Sequence, residues 1–264
     1  MEIALREVGF STGDTEILRS VSCRIESGQV VLVMGPSGSG KTLLMKIMAT
    51  ILPPGSGAVL YNQEPIDAMS DADLDRLRIR QGFVFQDSAL WQNLSVYNNL
   101  ALPTQYHFPR RPASEIADRV RVLCRNMGFT EDLSQRPARL SAGERKVASI
   151  IRALMMDPEL LFMDEPSGGL DAGTSDRLLN TLKDLKRRGR TMVIASHDSE
   201  IASQLADWIL VIDDGSILAY DRVSNLVRTS DHRVREILVD VFDLSSTYDT
   251  DILDILGSSD DPFS

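Results

Sequence analysis

The sequence predicts an α/β fold in which helices cover a largely parallel sheet. Four apolar runs rich in β-branched and long aliphatic residues are typical of strands buried on both faces. Helical stretches lie between them, such as "TSDRLLNTLKDLKRRG", whose leucines recur at i, i+1, i+4 and i+7. Because strands and helices alternate along the chain, parallel strands joined by helical crossovers are expected. The predicted strands lie within "QVVLVM", "ELLFMDEP", "RTMVIASHD" and "DWILVIDDG".

We expect a main domain over residues 1–228 and an extension over residues 229–264. Within the main domain, residues 88–157 have helical periodicity and little that resembles a buried strand, which predicts a helical insertion. An apolar stripe in the extension favours contact with a partner, and packing on its own domain is an equal alternative. The acidic end, "GSSDDPFS", is expected to be disordered. The stripe, on one helical face, consists of Val234, Ile237, Leu238, Val241 and Phe242.

Composition and charge exclude several classes of function. The 264 residues carry a formal net charge of −10, whereas a sequence-independent nucleic-acid binder needs a basic surface. Cys23 and Cys124 are far apart without metal-type spacing, so neither a disulfide framework nor a zinc site is expected. The first ten residues are charged where a signal peptide is apolar, and no later run has the length of a membrane-spanning helix. We therefore expect any membrane association to come through a partner.

The octapeptide "GPSGSGKT", residues 35–42, lies between an apolar strand and the helical run "LLMKIMATIL". Its three glycines let successive backbone N–H groups point inward and form an anion site at a helix N-terminus. In this pattern the Lys41 ammonium reaches the β- and γ-phosphates, and the Thr42 hydroxyl binds Mg²⁺. A Gly/Ser-rich turn without a ligand is the alternative, but the strand–loop–helix context favours a nucleoside triphosphate. The predicted binding residues are Gly35, Pro36, Ser37, Gly38, Ser39, Gly40, Lys41, Thr42 and Leu43.

Acidic residues and a histidine follow two later strands. Asp164 ends "LLFMD", where it is placed to bind Mg²⁺ through water. Glu165 is the candidate general base that polarises the attacking water. His197 follows "TMVIAS" and is a candidate sensor of the γ-phosphate. Taken alone, Asp164 and Glu165 could instead be a pair of acidic residues that caps a strand. Taken alone, His197 could be a residue without a role in catalysis.

Two further motifs lie between these strands. Gln86 follows a short apolar strand, where a neutral amide can share Mg²⁺ or the attacking water and transmit nucleotide occupancy to the helical insertion. The pentapeptide "LSAGE" begins a helix: Ser141 is a plausible N-cap, and Gly143 admits close backbone approach. An ordinary capping box formed by Ser141 and Glu144 is the alternative, and it is favoured when this motif is taken alone.

Taken together, these motifs resemble the ABC transporter ATPase family in their order and spacing. The resemblance covers about residues 1–228 and includes the phosphate loop, Gln86, "LSAGE", "DEP", "GGLD" and His197. It implies a P-loop NTPase of ABC type, with a RecA-like, mostly parallel sheet core, a β-subdomain and a helical insertion. It also implies ATP and Mg²⁺ as cofactors and ATP hydrolysis coupled to transport.

The resemblance further implies how the chain assembles. Two copies are expected head to tail, with ATP between the phosphate loop of one and the "LSAGE" helix of the other, and with Phe10 stacked on adenine and Asp171 linking the two sites. The surface over residues 86–112 is expected to dock on a coupling helix of integral-membrane permease subunits. The chain is then peripheral, at the cytoplasmic face of the inner membrane. The implied nucleotide contacts outside the phosphate loop are Phe10, Ser141, Ala142, Gly143, Glu144 and Asp171.

The "LSAGE" segment departs from the family's usual LSGGQ at two positions. Ala142 replaces the middle glycine, and Glu144 replaces the glutamine. An added methyl in a tight phosphate-facing turn weakens binding. Glu144 places a carboxylate near the nucleotide of the other copy, unless it turns back onto its own backbone. We expect active but slow hydrolysis.

Within the family, "FQDSALWQNLSVYNNLALP" and "EPIDAMSDADLDRLR" are similar to the ATPase subunits of MCE-type, Mla-like lipid-trafficking transporters. The segment "SDHRVREIL" resembles the start of their C-terminal extension, which supports dimerisation of the ATPase. These similarities imply a phospholipid cargo and an MCE-domain protein as a further partner. An ATPase of the lipoprotein-releasing or cell-division type is the alternative, since "SVYNNLALP" is similar to that type as well.

Two functions from other classes compete with transport. A soluble ABC protein acting on nucleic acid or ribosomes generally carries two ATPase cassettes, whereas this sequence has a single phosphate loop and an acidic composition. A regulatory module that binds ATP without hydrolysis is disfavoured by the presence of Glu165 and His197.

Overall fold

The computed structural model of the chain describes residues 1–239 and 241–242. These residues form ten strands and nine α-helices, none of which is both long and apolar enough to cross a membrane. The strands are β1 (Ile3–Thr12), β2 (Thr15–Ile25), β3 (Val30–Met34), β4 (Ser56–Tyr61), β5 (Glu64–Pro65), β6 (Gln81–Val84), β7 (Leu160–Asp164), β8 (Thr191–Ala195), β9 (Trp208–Asp213) and β10 (Ser216–Arg222). The helices are α1 (Lys41–Met48), α2 (Asp71–Ile79), α3 (Val96–His107), α4 (Ala113–Met127), α5 (Ala142–Leu154), α6 (Ala172–Arg187), α7 (Ser199–Gln204), α8 (Val223–Leu226) and α9 (His232–Val239).

The larger sheet contains six strands in the order β10-β9-β3-β8-β7-β6. Its pairings are parallel except for that between β10 and β9. Strands β3, β7, β8 and β9 lie inside the four apolar runs that predict them, which confirms the α/β fold with a mostly parallel sheet. Because parallel strands end at the same edge, the segments that follow β3, β7 and β8 meet there.

Strand β3 shows why these runs are apolar on both faces. Val30, Leu32 and Met34 belong to the larger of two apolar cores. Val31 and Val33 belong to the smaller core, because successive side chains of a strand point to opposite faces. Helices α3 to α6 contribute to the larger core, whereas α1 and a second sheet contribute to the smaller one. The central sheet is therefore a buried platform that fixes the positions of the loops at its edge.

The second sheet has the order β2-β1-β4-β5 and is antiparallel. It is the β-subdomain that the family resemblance implies. Its strands are hard to recognise by periodicity, because the pairing of β1 with β2 shifts register between Leu5 and Val8. Such a bulge interrupts the alternation of buried and exposed residues.

The segment over residues 88–157 contains α3, α4 and α5. The structure describes all of its residues, and none of them forms a strand. The three helices share buried aliphatic residues such as Leu100, Val120 and Ile150. The hydroxyl of Ser95 accepts a hydrogen bond from the backbone N–H of Asn98 and caps α3. This helical unit packs on the same face of the large sheet as α6.

The apolar stripe of the extension packs on the chain itself. Helix α9 ends at Val239, so the prediction of one continuous helical face through Phe242 is wrong. Because the stripe is already covered, the expectation that it stands open to a partner is also wrong, and the alternative of packing on its own domain is right. A role of the extension in dimerisation stays a prediction from the resemblance, and the expected disorder of its end lies outside the described residues. The residues buried in the larger core are Val234, Leu238, Val241 and Phe242, with Ile237 partly buried against it.

Candidate active site

The phosphate loop, residues 35–42, connects the carboxyl end of β3 to the first turn of α1. Gly35 and Gly40 have φ angles of 154° and 102°, which side-chain-bearing residues rarely adopt. A Cβ added at Gly35 would lie 1.9 Å from the carbonyl oxygen of Ile212, and one at Gly40 would lie 2.8 Å from Leu18 Cδ2. The glycines therefore let the loop pass close to its neighbours. Gly40, at the N-cap of α1, has no side chain to accept the first N–H groups of the helix, which leaves them available to an anion.

Ser39 is a further sign that the loop accommodates a ligand. The residue is 4% exposed, and among the described residues its Oγ has no hydrogen-bond partner. A buried polar group without a partner costs about 1–3 kcal/mol. A phosphate oxygen or an associated water would satisfy this hydroxyl, so the loop fits the triphosphate that its sequence predicts.

Lys41 already lies across the phosphate loop. Its ammonium donates hydrogen bonds to the carbonyl oxygens of Gly35, at 2.7 Å, and Pro36, at 2.9 Å. Burial lowers the pKa of Lys41, and the carboxylates of Glu165 and Asp164 act in the opposite direction. The positive charge of the loop therefore faces both acidic residues at the carboxyl end of β7, Asp164 and Glu165.

Thr42 and Asp164 join α1 to β7. The Thr42 hydroxyl donates to Asp164 Oδ2 at 2.6 Å, and Asp164 is only 3% exposed. Hydroxyl and carboxylate oxygens are the ligands that Mg²⁺ prefers. Within the described residues, however, no group of three acidic, histidine or cysteine side chains is placed to hold a metal ion. The donors therefore fit a Mg²⁺ ion that takes its remaining ligands from phosphate oxygens and water.

Glu165 and His197 lie side by side after β7 and β8. His197 Nε2 is 3.6 Å from Glu165 Oε1. Glu165 has a φ of 47°, unusual for a residue with a side chain, and its N–H donates to the carbonyl oxygen of Ala195 at 2.9 Å. Burial raises the pKa of Glu165, and the adjacent His197 lowers it. This strained backbone aims a partly buried carboxylate at the edge where the phosphate loop lies.

Most of the residues predicted to act on the triphosphate line one open cleft of about 530 Å³, whereas Gly35, Pro36 and Ser39 are absent from its lining. The structure thus brings together four stretches that are far apart in sequence. Lys46 and Leu52, which were not predicted, also line the cleft. The complete lining is Ser37, Gly38, Gly40, Lys41, Thr42, Leu43, Lys46, Leu52, Gln86, Asp164, Glu165 and His197.

The "LSAGE" residues line a second cleft of about 500 Å³ on the same chain. Ser141 caps α5: its Oγ accepts from the N–H of Glu144 at 3.2 Å, and Glu144 Oε2 accepts from the N–H of Ser141 at 2.6 Å. The capping box is therefore formed, and the Glu144 carboxylate turns back onto its own backbone. Asp171 caps α6 in the same way, accepting from the N–H of Thr174 at 3.0 Å. The predicted residues in this cleft are Ser141, Ala142, Gly143, Glu144 and Asp171.

Phe10 is the aromatic residue that the resemblance assigns to adenine. It lies on β1, partly buried against the smaller core. It does not line either of the two clefts. Its contact with adenine stays a prediction.

Gly143 is packed tightly against the "GGLD" loop. A Cβ added at Gly143 would lie 2.7 Å from the carbonyl oxygen of Gly169. We expect Gly143→Ala to lower the free energy of unfolding by about 1–3 kcal/mol, since the added methyl forces α5 away from this loop. Urea denaturation measures the loss. Gly173→Ala is the matched control, because a Cβ there meets nothing closer than Asp171 Oδ1 at 3.4 Å, and an unaltered stability of Gly143→Ala would contradict the described packing.

The sequence did not predict the contacts of two cations of α5, the buried Lys146 and the partly buried Arg152. Lys146 and Arg152 donate to backbone carbonyls in residues 85–89, the segment that contains Gln86. The available signal was a lysine on the otherwise apolar side of an amphipathic helix. Periodicity does not indicate what such a lysine contacts.

Comparisons with known proteins support the same conclusion as the geometry. The family model described as ABC transporter matches residues 18–168, more than half of the chain. A solved dimeric structure of the ATP-binding cassette MJ0796, in a post-hydrolysis state bound to ADP and Pi, superposes with a TM-score of 0.77 at 27% identity. That superposition covers 83% of this chain and 98% of the cassette.

The curated relatives differ in length and in the cargo that their names give. The intermembrane phospholipid transport system ATP-binding protein MlaF of Escherichia coli is 31% identical over 91% of this chain and 90% of its own length. The macrolide export ATP-binding/permease protein MacB of Pasteurella multocida is 35% identical over 87% of this chain, which spans only 35% of that protein. The methionine import ATP-binding protein MetN of Photorhabdus laumondii is 35% identical over 79% of this chain and 61% of its own length. The chain belongs to the ABC transporter family and is an ABC-type ATPase domain.

Proposed function

We propose that the chain hydrolyses Mg-ATP as the ATPase subunit of a membrane transporter. The convergence of Lys41, the Thr42–Asp164 pair and Glu165 in one cleft carries this proposal. An anion site, oxygen donors for Mg²⁺ and a base beside a histidine are the groups that phosphoryl transfer to water requires.

Each side chain of the cleft has a distinct role in this proposal. The backbone N–H groups of the loop and the Lys41 ammonium bind the β- and γ-phosphates. Thr42, Asp164 and Gln86 would hold Mg²⁺, which when bound would neutralise charge on the phosphate oxygens. Glu165 accepts a proton from the attacking water, and its raised pKa makes it a stronger base than an exposed glutamate. His197 orients this carboxylate and contacts the γ-phosphate.

Hydrolysis in this proposal needs a second copy of the chain. The "LSAGE" residues line a cleft of their own and do not line the cleft of the phosphate loop. In a head-to-tail dimer, the N-terminus of α5 in one copy would face the γ-phosphate bound by the other. The two solved MJ0796 cassette structures, at 27% and 28% identity, are described as dimeric, which supports this arrangement.

The surface over residues 86–112 is the proposed docking site for a permease. Trp91 is 58% exposed and Tyr106 is 77% exposed, which is a large apolar area to leave in water. Nucleotide-dependent movement of Gln86 would reach the membrane subunits through this surface. The chain would then be peripheral, at the cytoplasmic face of the inner membrane.

Replacing both aromatic residues, as Trp91→Ser and Tyr106→Ser, is expected to abolish co-purification of the permease. Phosphate release by the isolated chain should stay within about twofold, since exposed substitutions rarely perturb a fold by more than 0.5 kcal/mol. Val122→Ser is the matched control, because Val122 is 47% exposed on α4, outside the docking surface. Retention of the permease by the double variant would contradict the assignment of the surface.

Phospholipid is the proposed cargo, through an MCE-type system. The named phospholipid-transport relatives align with this chain along about nine tenths of both lengths. The MacB relatives carry a permease in the same protein, and this chain corresponds to about a third of them. The match along nine tenths of the MlaF relatives favours the phospholipid type, whereas methionine import and an ATPase of the lipoprotein-releasing or cell-division type are the alternatives.

Purification from the native host tests the proposal. The tagged chain would be recovered from gently solubilised membranes, and its co-purifying proteins and lipids identified by mass spectrometry. We expect a multi-pass permease, an MCE-domain protein and phospholipid. A permease of another type would overturn the cargo, and recovery without any membrane protein would overturn the transport function.

The Glu144 carboxylate is expected to slow turnover. It lies at the N-terminus of α5, which faces the nucleotide of the other copy in the proposed dimer. The hydrogen bond from the N–H of Ser141 lowers the pKa of Glu144, so the carboxylate stays charged at neutral pH. Glu144→Gln retains a capping-box residue and removes the charge, and should raise kcat/KM for ATP about 2- to 5-fold, a gain of roughly 0.4–1 kcal/mol. Steady-state kinetics checks this, and a lower kcat/KM would contradict it.

A further inference from the structure

A buried lysine of α5 holds the main chain at Gln86. Lys146 is 4% exposed, and its ammonium donates to the carbonyl oxygens of Gln86, at 2.7 Å, and Phe85, at 3.2 Å. Lys146 lies five residues after Ser141, on the helix that begins with the "LSAGE" segment. One side chain thus connects that helix to the residue proposed to share Mg²⁺.

A second cation of α5 holds the rest of the segment. Arg152 donates to the carbonyl oxygens of Ala89, at 2.7 Å, and Ser88, at 3.0 Å. Ser88 and Ala89 both have positive φ angles, 66° and 43°, an unfavourable conformation for two consecutive residues with side chains. Four carbonyl oxygens of residues 85–89 therefore accept bonds from one helix, and these bonds stabilise a strained turn.

The location of Lys146 suggests more than support of the fold. A buried ammonium is costly unless it is paired or fully hydrogen-bonded, and a neutral side chain would fill the same space at a lower cost. Burial lowers the pKa of Lys146, and the charges of Asp164, Glu165 and Asp87 oppose that effect. The ammonium therefore lies within the electric field of the two acidic residues of the cleft. Gln86 itself is exposed and lines the cleft, so the position of its side chain depends on its anchored main chain.

We infer that Lys146 is a positioning residue for Gln86. Its two hydrogen bonds fix the Gln86 main chain to α5. The side-chain amide of Gln86 therefore reaches Mg-ATP only while α5 keeps the position that it has in this structure. A displacement of α5, whose N-terminus faces the other copy in the dimer, is then transmitted directly to Gln86. This inference rests on the proposed hydrolysis, and it adds a link within one chain between the "LSAGE" helix and the Mg²⁺ site.

A double-mutant cycle between Lys146→Met and Gln86→Ala tests this inference. Each single variant should lower kcat about 10- to 100-fold, since small misplacements of a positioning group have effects of that size. ATP affinity measured without Mg²⁺ should be unchanged, whereas the Mg²⁺ concentration for half-maximal ATP binding should rise in both. The double variant should be no worse than the more impaired single variant, because Lys146 acts only through Gln86. Lys146→Arg, which keeps a long cationic donor, should recover part of the activity.

Three outcomes would overturn the inference. One is a Lys146→Met variant with wild-type kcat and Mg²⁺ dependence, and another is a double variant whose losses multiply. The third is a loss equalled by Arg121→Met, the control: Arg121 is exposed on α4, and its guanidinium pairs with Asp118 and does not contact residues 85–89. If Lys146→Met fails to fold, Lys146→Gln keeps one donor and enters the same cycle. An inactive wild type would overturn the proposed hydrolysis alone, because the cycle can still be measured on Mg²⁺-dependent ATP binding.

Discussion

Replacing Glu165 with glutamine is expected to lower ATP turnover by about 10²- to 10⁴-fold, the usual contribution of a general base. Glutamine has nearly the same shape but cannot accept the proton of the attacking water. Burial raises the pKa of Glu165, and the neighbouring His197 opposes that rise, so this carboxylate is a stronger base than an exposed glutamate. ATP binding should be unaffected, because the Lys41 ammonium and the loop backbone are unchanged. Phosphate release at saturating Mg-ATP and retention of labelled ATP measure the two quantities.

Glu159→Gln is the matched control for this variant. Glu159 lies immediately before β7, at the opposite end of the strand from Glu165, and its carboxylate binds the Arg80 guanidinium. Loss of that partly exposed pair costs about 0–1 kcal/mol and should not alter turnover. A Glu165→Gln variant that hydrolyses ATP at the wild-type rate would exclude Glu165 as the base.

Replacing Lys41 with alanine is expected to weaken ATP binding at least about 100-fold. Hydrogen bonds to charged groups contribute about 1.5–3 kcal/mol each, and the ammonium is placed to make two of them to the phosphates. The carbonyl groups of Gly35 and Pro36 each lose one donor in this variant. Titration with a fluorescent ATP analogue measures the affinity, and thermal denaturation shows whether the fold is retained.

Lys183→Ala is the control for this loss. Lys183 is a partly exposed residue of α6 whose ammonium donates to Gln204, and it does not line the cleft. Its removal should leave the dissociation constant unchanged. A Lys41→Ala variant that is folded and binds ATP as tightly as Lys183→Ala would show that the phosphate loop does not bind the triphosphate in the proposed way.

Much of the fold was predictable because its strands are buried on both faces. The run around Val31 contains only apolar residues, and burial against two cores favours apolar side chains at successive positions. The second sheet was not predictable by periodicity, because its bulge near Leu5 breaks the alternation. The sequence also did not determine what packs against the apolar stripe of α9. Periodicity shows that Val234 and Leu238 share a face, but only the tertiary structure shows what covers that face.

The phosphate site was predictable because its parts are local motifs at the ends of strands. Asp164 ends a buried strand, and the fold brings it to the Thr42 hydroxyl at the same edge of the sheet. The contacts of Lys146 were not predictable, because they are made to backbone carbonyls, which any residue type provides. The capping role of Glu144 was only partly predictable. The sequence motif gave it as one alternative, and the hydrogen bonds of the structure show that the capping box is formed.

The mass of the Glu165→Gln chain in solution, with and without Mg-ATP, tests the central claim most directly. Light scattering should give one copy, 29.2 kDa, without nucleotide, and two copies when Mg-ATP is bound and not hydrolysed. Adding Ser141→Arg, which places a bulky side chain at the N-terminus of α5, should prevent that dimer without preventing ATP binding. A chain that binds Mg-ATP and keeps the mass of one copy would contradict the claim that the phosphate loop and the "LSAGE" segment act across two copies.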